Sequence, residues 1–179
     1  MKKKVLVIST SLRSKSNSEA LADEFMRGAM EAGHEVEKIS LRGTNIQFCR
    51  GCLACQHTGT CVIKDDMTGI RQKMHDADVI AYATPIYYYE MCGQMKTLLD
   101  RANPLYGSDY HFRHIYLFAT AAEDEEHVPQ RAINGLEGWI ECFPKAQLAG
   151  SVFAGGVTDM GEINGHKSLT QAYEMGRNV

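Results

Sequence analysis

The sequence predicts a single α/β domain over residues 1–179, in which a doubly wound, five-stranded parallel sheet lies between two layers of helices (α/β/α). Short apolar runs alternate along the chain with amphipathic helical patterns, as in sheets whose strands are joined by helical crossovers. Several runs are continuously apolar, which indicates strands buried on both faces. Right-handed crossovers and a sheet of this size favour the strand order 2-1-3-4-5.

The first half of the chain supplies two strands, one helix and a long loop. Residues 4–9 (KVLVIS) predict the first strand, and residues 17–31 predict a helix that stops near Gly33. Apolar and polar residues alternate over 36–41, which predicts a second strand close to a sheet edge. Residues 45–65 form an irregular, cysteine-rich insertion. A loop of that length in a compact domain usually has a function.

The second half supplies the remaining strands and helices. Asp66 is the expected N-cap of the next helix. The predicted elements are a helix over 67–76, a strand over 79–84, a helix with Met91, Met95, Leu98, Leu99 and Ala102 on one face, a strand over 115–120, a helix over 129–142, a strand over 148–154 and a closing helix over 164–177. After the third strand, Lys96, Asp100 and Arg101 suggest an i,i+4 charge pair on a helix surface.

Composition excludes several classes of function. The 179 residues are 44% hydrophobic, which suffices for one globular core, and the net charge of −3 leaves no basic surface for a nucleic acid. The lysines at positions 2–4 precede an apolar run that is too short for a signal peptide, and no stretch reaches the length of a membrane span. We therefore expect a cytoplasmic protein with no membrane partner.

A hydroxyl-rich turn lies between the first strand and the first helix. It runs Thr10-Ser11-Leu12-Arg13-Ser14-Lys15-Ser16-Asn17-Ser18. A helix N-terminus offers unpaired N–H groups and a partial positive charge, and Arg13 adds a forked cation, so the turn is a candidate phosphate cradle. The alternative is an ordinary helix cap, since Ser16, Asn17 and Ser18 are all good capping residues.

A second polar and aromatic loop follows the third strand, which is the neighbour of the first strand in the expected order. It begins at Thr84 and contains Tyr87, Tyr88 and Tyr89, which suit a flat aromatic ligand. Phosphate at one end of the crevice and a planar ring at the other describe a mononucleotide, FMN in particular. The alternative is that the tyrosines are core or interface residues. Because alternate strand residues point in opposite directions, we do not expect all three to face a ligand.

The cysteines form the second conspicuous motif. Cys49, Cys52, Cys55 and Cys61 have the spacing C-x2-C-x2-C-x5-C, whereas structural zinc sites usually separate two ligand pairs by a longer stretch. Closely spaced thiolates of this kind can hold a [4Fe–4S] cluster. Thiols that only shape the loop and a subunit contact are the main alternative, ahead of zinc and of a regulatory disulfide. His57 is expected to be a solvated loop residue, and Cys92 and Cys142 are expected to be buried.

These motifs together resemble a known family. The segments Ser11-x-Arg13-x-x-Ser16-Asn17-Ser18, Thr84-Pro85-Ile86-Tyr87, Gln94-Met95-Lys96-x-x-x-Asp100-Arg101 and Gly155-Gly156-Val157-x-Asp159-x-Gly161 are similar, in this order, to segments of the NAD(P)H-dependent FMN reductase family of flavodoxin-like proteins. The cysteine spacing resembles that of iron-sulfur flavoproteins, which share the same core. One segment departs from the family: a glycine-containing loop is common after the fourth strand, where this chain has residues 120–127, TAAEDEEH.

The resemblance implies a set of cofactor residues. Those expected at the phosphate are Ser11, Arg13, Ser16, Asn17 and Ser18, and those expected at the isoalloxazine are Thr84, Pro85, Ile86, Tyr87, Tyr88 and Ala121. It also implies a homodimer or homotetramer. No side chain is assigned a catalytic role, because the flavin carries the chemistry.

The expected activity is electron transfer from NAD(P)H through bound FMN to a small acceptor, such as a quinone or free flavin. The chain has no G-x-G-x-x-G after a strand, so NAD(P)H and the acceptor would use one crevice in turn. Three alternatives remain open: an iron-sulfur flavoprotein that exchanges electrons with ferredoxin through a [4Fe–4S] cluster, a non-enzymatic flavodoxin-like electron carrier, and a redox-sensing binding module.

Overall fold

A central parallel sheet organises the chain, and the computed structural model describes all of residues 1–179. The strands are β1 (Lys4–Ser9), β2 (Glu35–Ser40), β3 (Val79–Tyr87), β4 (Glu90–Met91), β5 (His114–Thr120) and β6 (Gln147–Ala154). The helices are α1 (Asn17–Glu31), α2 (Ala54–Thr58), α3 (Met67–Asp76), α4 (Gly93–Arg101), α5 (Gln130–Ile140) and α6 (Lys167–Arg177), with a 3-10 helix at Asn103–Leu105. None of the helices has both the length and the apolar character needed to cross a bilayer.

The strand order is β2-β1-β3-β5-β6, and all four pairings along this path are parallel. This confirms the doubly wound order 2-1-3-4-5, with β5 and β6 as the fourth and fifth predicted strands. The apolar patterns have a simple origin. The central strands β1 and β3 are buried over almost their whole length, whereas β2 and the first part of β6 lie at the sheet edges and are partly exposed.

The sheet has six strands, not the predicted five. The extra strand, β4, is two residues long and pairs antiparallel with the end of β3, with Ile86 opposite Met91. Tyr88 and Tyr89 form the turn of this hairpin, at left-handed φ values of 52° and 65°. Because bulky residues rarely adopt that conformation, local sequence preferences gave no indication of the turn. Strand β3 therefore extends to Tyr87, past its predicted end at Thr84.

Two helices touch through their backbones on one face of the sheet. A Cβ atom added at Gly176 of α6 would lie 2.1 Å from the carbonyl oxygen of Phe25 in α1. A Cβ added at Gly28 of α1 would lie 2.2 Å from the carbonyl oxygen of Tyr173 in α6. Only glycine fits at either position, so this pair of glycines sets the distance between α1 and α6.

Three local expectations were wrong in whole or in part. The insertion at 45–65 is not wholly irregular, because it contains α2. Asp66 occupies the N-cap position of α3 as expected, but its side chain makes no capping bond; its Oδ2 accepts from the Asn45 backbone N–H at 2.7 Å, and Asp65 Oδ1 accepts from Met67 N at 3.2 Å. Cys92 is buried as expected, but Cys142 is exposed.

Candidate functional site

The loops that follow β1, β3, β5 and β6 surround a cleft of about 400 Å³ at the carboxyl edge of the sheet. Every residue predicted at the cofactor lines this cleft except Thr84. The lining residues that the sequence analysis did not assign to the cofactor are Ser14, Tyr89, Thr120, Ala122, Glu123, Val157, Thr158 and Met160. A cleft at this edge, where the strand order reverses, is the usual ligand position in an open α/β sheet.

The N-terminus of α1 forms one end of the cleft. Ser16 is the N-cap, and its Oγ accepts from Glu19 N at 3.2 Å, so the capping alternative holds for this side chain. The backbone N–H groups of Asn17 and Ser18 have no protein acceptor. With the positive end of the helix dipole, these two groups form a preorganised site for an anion.

Arg13 and Asn17 connect this end of the cleft to the loop that follows β6. Arg13 Nη1 donates to the carbonyl oxygen of Thr158 at 2.8 Å, across 145 residues of sequence. Asn17 Nδ2 donates to the carbonyl oxygen of Asp159 at 2.9 Å, and its Oδ1 accepts from Ile163 N at 3.4 Å. The residues 158–163 therefore form a wall of the cleft. The glycine-rich segment at 155–161 pointed to this loop, but its two partners could not be inferred from local sequence.

The hairpin between β3 and β4 forms the other end. Tyr87, Tyr88 and Tyr89 all line the cleft, contrary to the expectation that they could not share one side, because the left-handed turn ends the strand alternation. Tyr88 is 99% exposed. The Tyr89 ring stacks on the His127 ring with 6.1 Å between centroids. The hairpin thus presents aromatic surface to any flat ligand in the cleft.

Thr84 lies behind the cleft instead of in it. The residue is fully buried, and its Oγ1 accepts from Cys92 N at 3.1 Å. This bond ties the end of β3 to the start of α4. The structure therefore places Thr84 as a support of the hairpin and gives it no access to a ligand in the cleft.

The segment after β5 is brought into the cleft despite lacking the expected glycine. Ala121 lines the cleft, and its carbonyl oxygen accepts from Val157 N at 2.9 Å. A glycine does lie at this point, but it is Gly155 in the loop after β6, which packs closely against residues 123 and 124. A Cβ added at Gly155 would lie 2.5 Å from Asp124 Cα and from the Glu123 carbonyl oxygen. The close backbone packing of the two loops therefore depends on a glycine in the loop after β6 and not on one in the loop after β5.

A second, smaller cavity lies in the cysteine-rich loop. Its volume is about 30 Å³, and Cys49, Cys52, Cys55 and Cys61 all border it. No three His, Cys, Asp or Glu side chains converge closely enough to hold a single metal ion. A cubane cluster makes a different demand, since each of its four thiolates binds a separate iron. The donor set around this cavity has the number and chemistry that a [4Fe–4S] cluster requires.

A buried ion pair fixes the cysteine-rich loop to α4. Arg101 donates to both carboxylate oxygens of Asp65, at 2.7 and 2.9 Å, and to the carbonyl oxygen of Gln47 at 2.6 Å. The Arg101 and Asp65 side chains are each only 1% exposed. The hydrogen bond from Arg101 lowers the pKa of Asp65. The i,i+4 spacing predicts a surface charge pair on this helix, and Lys96 and Asp100 form it at 2.6 Å, but Arg101 points inward.

One donor of this arginine has no partner. Arg101 Nε is buried and makes no hydrogen bond within the protein, and the residue borders the cavity of the four cysteines. A buried donor without an acceptor is costly, so an anionic group beside it would relieve that cost. Arg101 thus brings a positive charge and an unused donor to the border of the cavity, which suits an anionic group there.

Comparisons with known proteins agree with this architecture. Residues 3–165 match the model of a family described as NADPH-dependent FMN reductase. An iron-sulfur flavoprotein of Methanosarcina thermophila is 28% identical over 156 residues, covering 87% of this chain and 82% of that protein. An iron-sulfur flavoprotein of Methanocaldococcus jannaschii is 39% identical over 102 residues, which is 57% of this chain and 53% of that protein. The chain thus spans about half the length of several curated relatives it matches.

Solved structures show the same fold. An NAD(P)H:quinone oxidoreductase from Methanothermobacter marburgensis superposes with a TM-score of 0.75 at 17% sequence identity, over 99% of this chain and 97% of that one. At this level of identity the likeness concerns the arrangement of strands and helices. It confirms the doubly wound α/β architecture that the sequence predicts.

Proposed function

The chain belongs to the NADPH-dependent FMN reductase family, and on this premise we propose that it passes electrons from NAD(P)H through bound FMN to a small acceptor such as a quinone or a free flavin. One observation carries the proposal. A single cleft joins a helix N-terminus that can hold a phosphate to a tyrosine hairpin that can hold a planar ring. Those two ends match the two ends of FMN.

The residues of the cleft divide by the part of FMN that they would hold. The phosphate would accept hydrogen bonds from the free N–H groups of Asn17 and Ser18 and from the Arg13 guanidinium. Pro85, Ile86 and the hairpin tyrosines would border the ring. When bound, FMN supplies the capacity to accept a hydride and to pass electrons on singly or in pairs.

The protein's own contribution is binding, orientation and access. The Glu162 carboxylate accepts from the backbone N–H groups of Thr158 and Asp159, which stabilises the turn that receives Arg13 and Asn17. Tyr88 and Met160 are exposed at the cleft. Both NAD(P)H and the acceptor would therefore approach through the same opening, one after the other.

Titration with FMN tests the binding part of this proposal. We expect quenching of FMN fluorescence at a stoichiometry of one per chain, followed by NADH or NADPH oxidation that depends on an added quinone. Initial rates at several fixed quinone concentrations should give parallel double-reciprocal lines, because the two substrates alternate in one site. Intersecting lines would contradict alternate use of the cleft, and FMN binding without NAD(P)H oxidation would indicate an electron carrier.

Arg13 and Lys15 offer a matched pair of variants for the phosphate end. Both are exposed cations in the same loop, but only Arg13 lines the cleft. A charge-assisted hydrogen bond contributes about 1.5–3 kcal/mol, so Arg13→Gln should weaken FMN binding by about 10- to 100-fold. Lys15→Gln should leave it within about threefold. Riboflavin, which lacks the phosphate, should bind Arg13→Gln and Lys15→Gln as tightly as it binds the wild type. If Arg13→Gln lost as much affinity for riboflavin as for FMN, that result would argue against a phosphate contact.

The cysteine loop supports a second candidate function. Four cysteines border one cavity beside an unpartnered buried donor, and curated relatives are named iron-sulfur flavoproteins. We propose that Cys49, Cys52, Cys55 and Cys61 hold a [4Fe–4S] cluster, which would let the protein exchange single electrons with a carrier such as ferredoxin. Anaerobically purified protein should then be brown, with iron and sulfide near four each per chain. Colourless protein after anaerobic reconstitution would rule out the cluster.

Exposed apolar residues support self-association. Phe48, Leu53 and Val62 of the cysteine-rich loop and Tyr88 of the hairpin all have large exposed areas. Such surface is usually covered by another molecule. We propose a homodimer or homotetramer, and light scattering would detect a monomer if this is wrong.

A further inference from the structure

A hydrogen bond reaches one of the four cysteines from outside the cysteine-rich loop. Asn103 Nδ2 donates to Cys55 Sγ at 3.1 Å, across 48 residues of sequence. Cys55 lies in α2 and Asn103 begins the 3-10 helix that follows α4. Both residues border the same small cavity. The contact therefore joins a candidate cluster ligand to the rigid body of the domain.

Resting on the proposed cluster, we propose that Asn103 is a positioning residue that raises the reduction potential of a [4Fe–4S] centre through its N–H···S bond to Cys55. Reduction adds one electron to the cluster and makes its sulfurs more negative. An N–H donor stabilises the reduced form more than the oxidised form, so it raises the potential. Arg101 borders the same cavity, and its positive charge would act in the same direction.

The location of Asn103 suits this role. Pro104 follows Asn103 directly and restricts the backbone there. The two chain neighbours of Asn103, Ala102 and Pro104, are both buried. The Asn103 side chain is therefore held on a fixed backbone, whereas Cys49 and Cys52 are exposed. Arg101 is less suitable for a test, because its removal would also break the ion pair with Asp65 that holds the loop.

The test is a redox titration of anaerobically prepared holoprotein, with dithionite as the electron donor and electron paramagnetic resonance of the reduced cluster as the readout. Asn103→Ala should lower the ratio of reduced to oxidised cluster at a fixed potential by about three- to tenfold. Tenfold corresponds to a shift of about 59 mV for one electron. Asn103→Ser keeps a short hydroxyl donor and should recover part of the shift.

A control variant tests whether the loss of any side-chain amide changes the reduction potential. Asn134 is an exposed amide on α5 that bonds only to Gln130 at 2.7 Å, and Asn134→Ala should leave the potential unchanged. If Asn103→Ala binds less cluster, the potential of the remaining fraction is still given by its resonance signal.

The outcomes separate the two proposals. A wild-type protein that takes up no iron and sulfide overturns both the cluster and the role of Asn103. A cluster whose potential is the same in the wild type and in Asn103→Ala overturns the role of Asn103 alone. Three results together support both proposals: a lower potential in Asn103→Ala, a partly restored potential in Asn103→Ser, and an unchanged potential in Asn134→Ala.

Discussion

Asp65→Asn is expected to lower the free energy of unfolding by about 3–5 kcal/mol, because it leaves the buried Arg101 guanidinium without its counter-charge. The bidentate bond at 2.7 and 2.9 Å would be lost, and the cysteine-rich loop would be held to Arg101 of α4 only through the backbone carbonyl oxygens of Gln47 and Ile63. Urea or guanidinium unfolding followed by circular dichroism measures the change. A loss below about 1 kcal/mol would show that water reaches Arg101 in the folded protein.

The neighbouring charge pair provides the control for this prediction. Lys96 and Asp100 are joined at 2.6 Å on the exposed face of the same helix. Exposed pairs contribute little, so Asp100→Asn should change the free energy of unfolding by no more than about 1 kcal/mol. The contrast between two carboxylates, each paired with a cation of α4 but differing in burial, isolates the cost of an unpaired buried charge.

The same ion pair has an expected pH dependence. Since Arg101 holds the pKa of Asp65 below its usual range, the stabilisation is complete above the ordinary aspartate pKa of about 3.9. It is lost as the pH falls below that value and through the lowered pKa of the folded protein. The stability difference between the wild type and Asp65→Asn should therefore be constant from neutral pH to about pH 5 and shrink in more acidic solution.

Gly176→Ala is expected to destabilise the protein by about 3 kcal/mol or more, at the upper end of the cost of overpacking. Its new methyl group would lie 2.1 Å from the Phe25 carbonyl oxygen, and a backbone atom cannot move aside without shifting α1. Thermal or denaturant unfolding gives the measurement. Gly28→Ala, which meets the Tyr173 carbonyl oxygen at 2.2 Å, should behave similarly.

Gly138→Ala is the matched control for this helix contact. Gly138 lies within α5, and a Cβ atom there would have no neighbour within 4 Å. Replacing an exposed helical glycine with alanine stabilises a protein by roughly 0.5–1 kcal/mol. The two substitutions are chemically identical, so opposite signs would establish that the contact between α1 and α6 is what forbids a side chain at Gly176.

The sequence predicted those parts of the fold that depend on periodicity over several residues. Helix α1 and strand β1 were predicted at their observed bounds, because a long apolar stripe and a continuous apolar run are local patterns. The hairpin strand β4 was missed since it has two residues and depends on left-handed conformations at Tyr88 and Tyr89. Such conformations are imposed by tertiary structure and have no signature in local preferences.

The candidate site shows the same limit. The residues of the cleft could be proposed from two loops, because neighbouring parallel strands bring their carboxyl ends together. The bonds from Arg13 to Thr158 and from Asn17 to Asp159 could not, since each links opposite ends of the chain. The burial of Arg101 likewise could not be inferred from the local sequence. It directly follows Asp100, which pairs with Lys96 on the helix surface, and only the position of Asp65, 36 residues earlier, explains why Arg101 points inward.

The bonds between residues 13–17 and residues 158–163 have a consequence for biosynthesis. Residues 13–17 are synthesised well before residues 158–163, so the cleft has both of these walls only after about 145 further residues have been added. Under the proposed function, FMN uptake should therefore follow the docking of residues 158–163 on the start of α1.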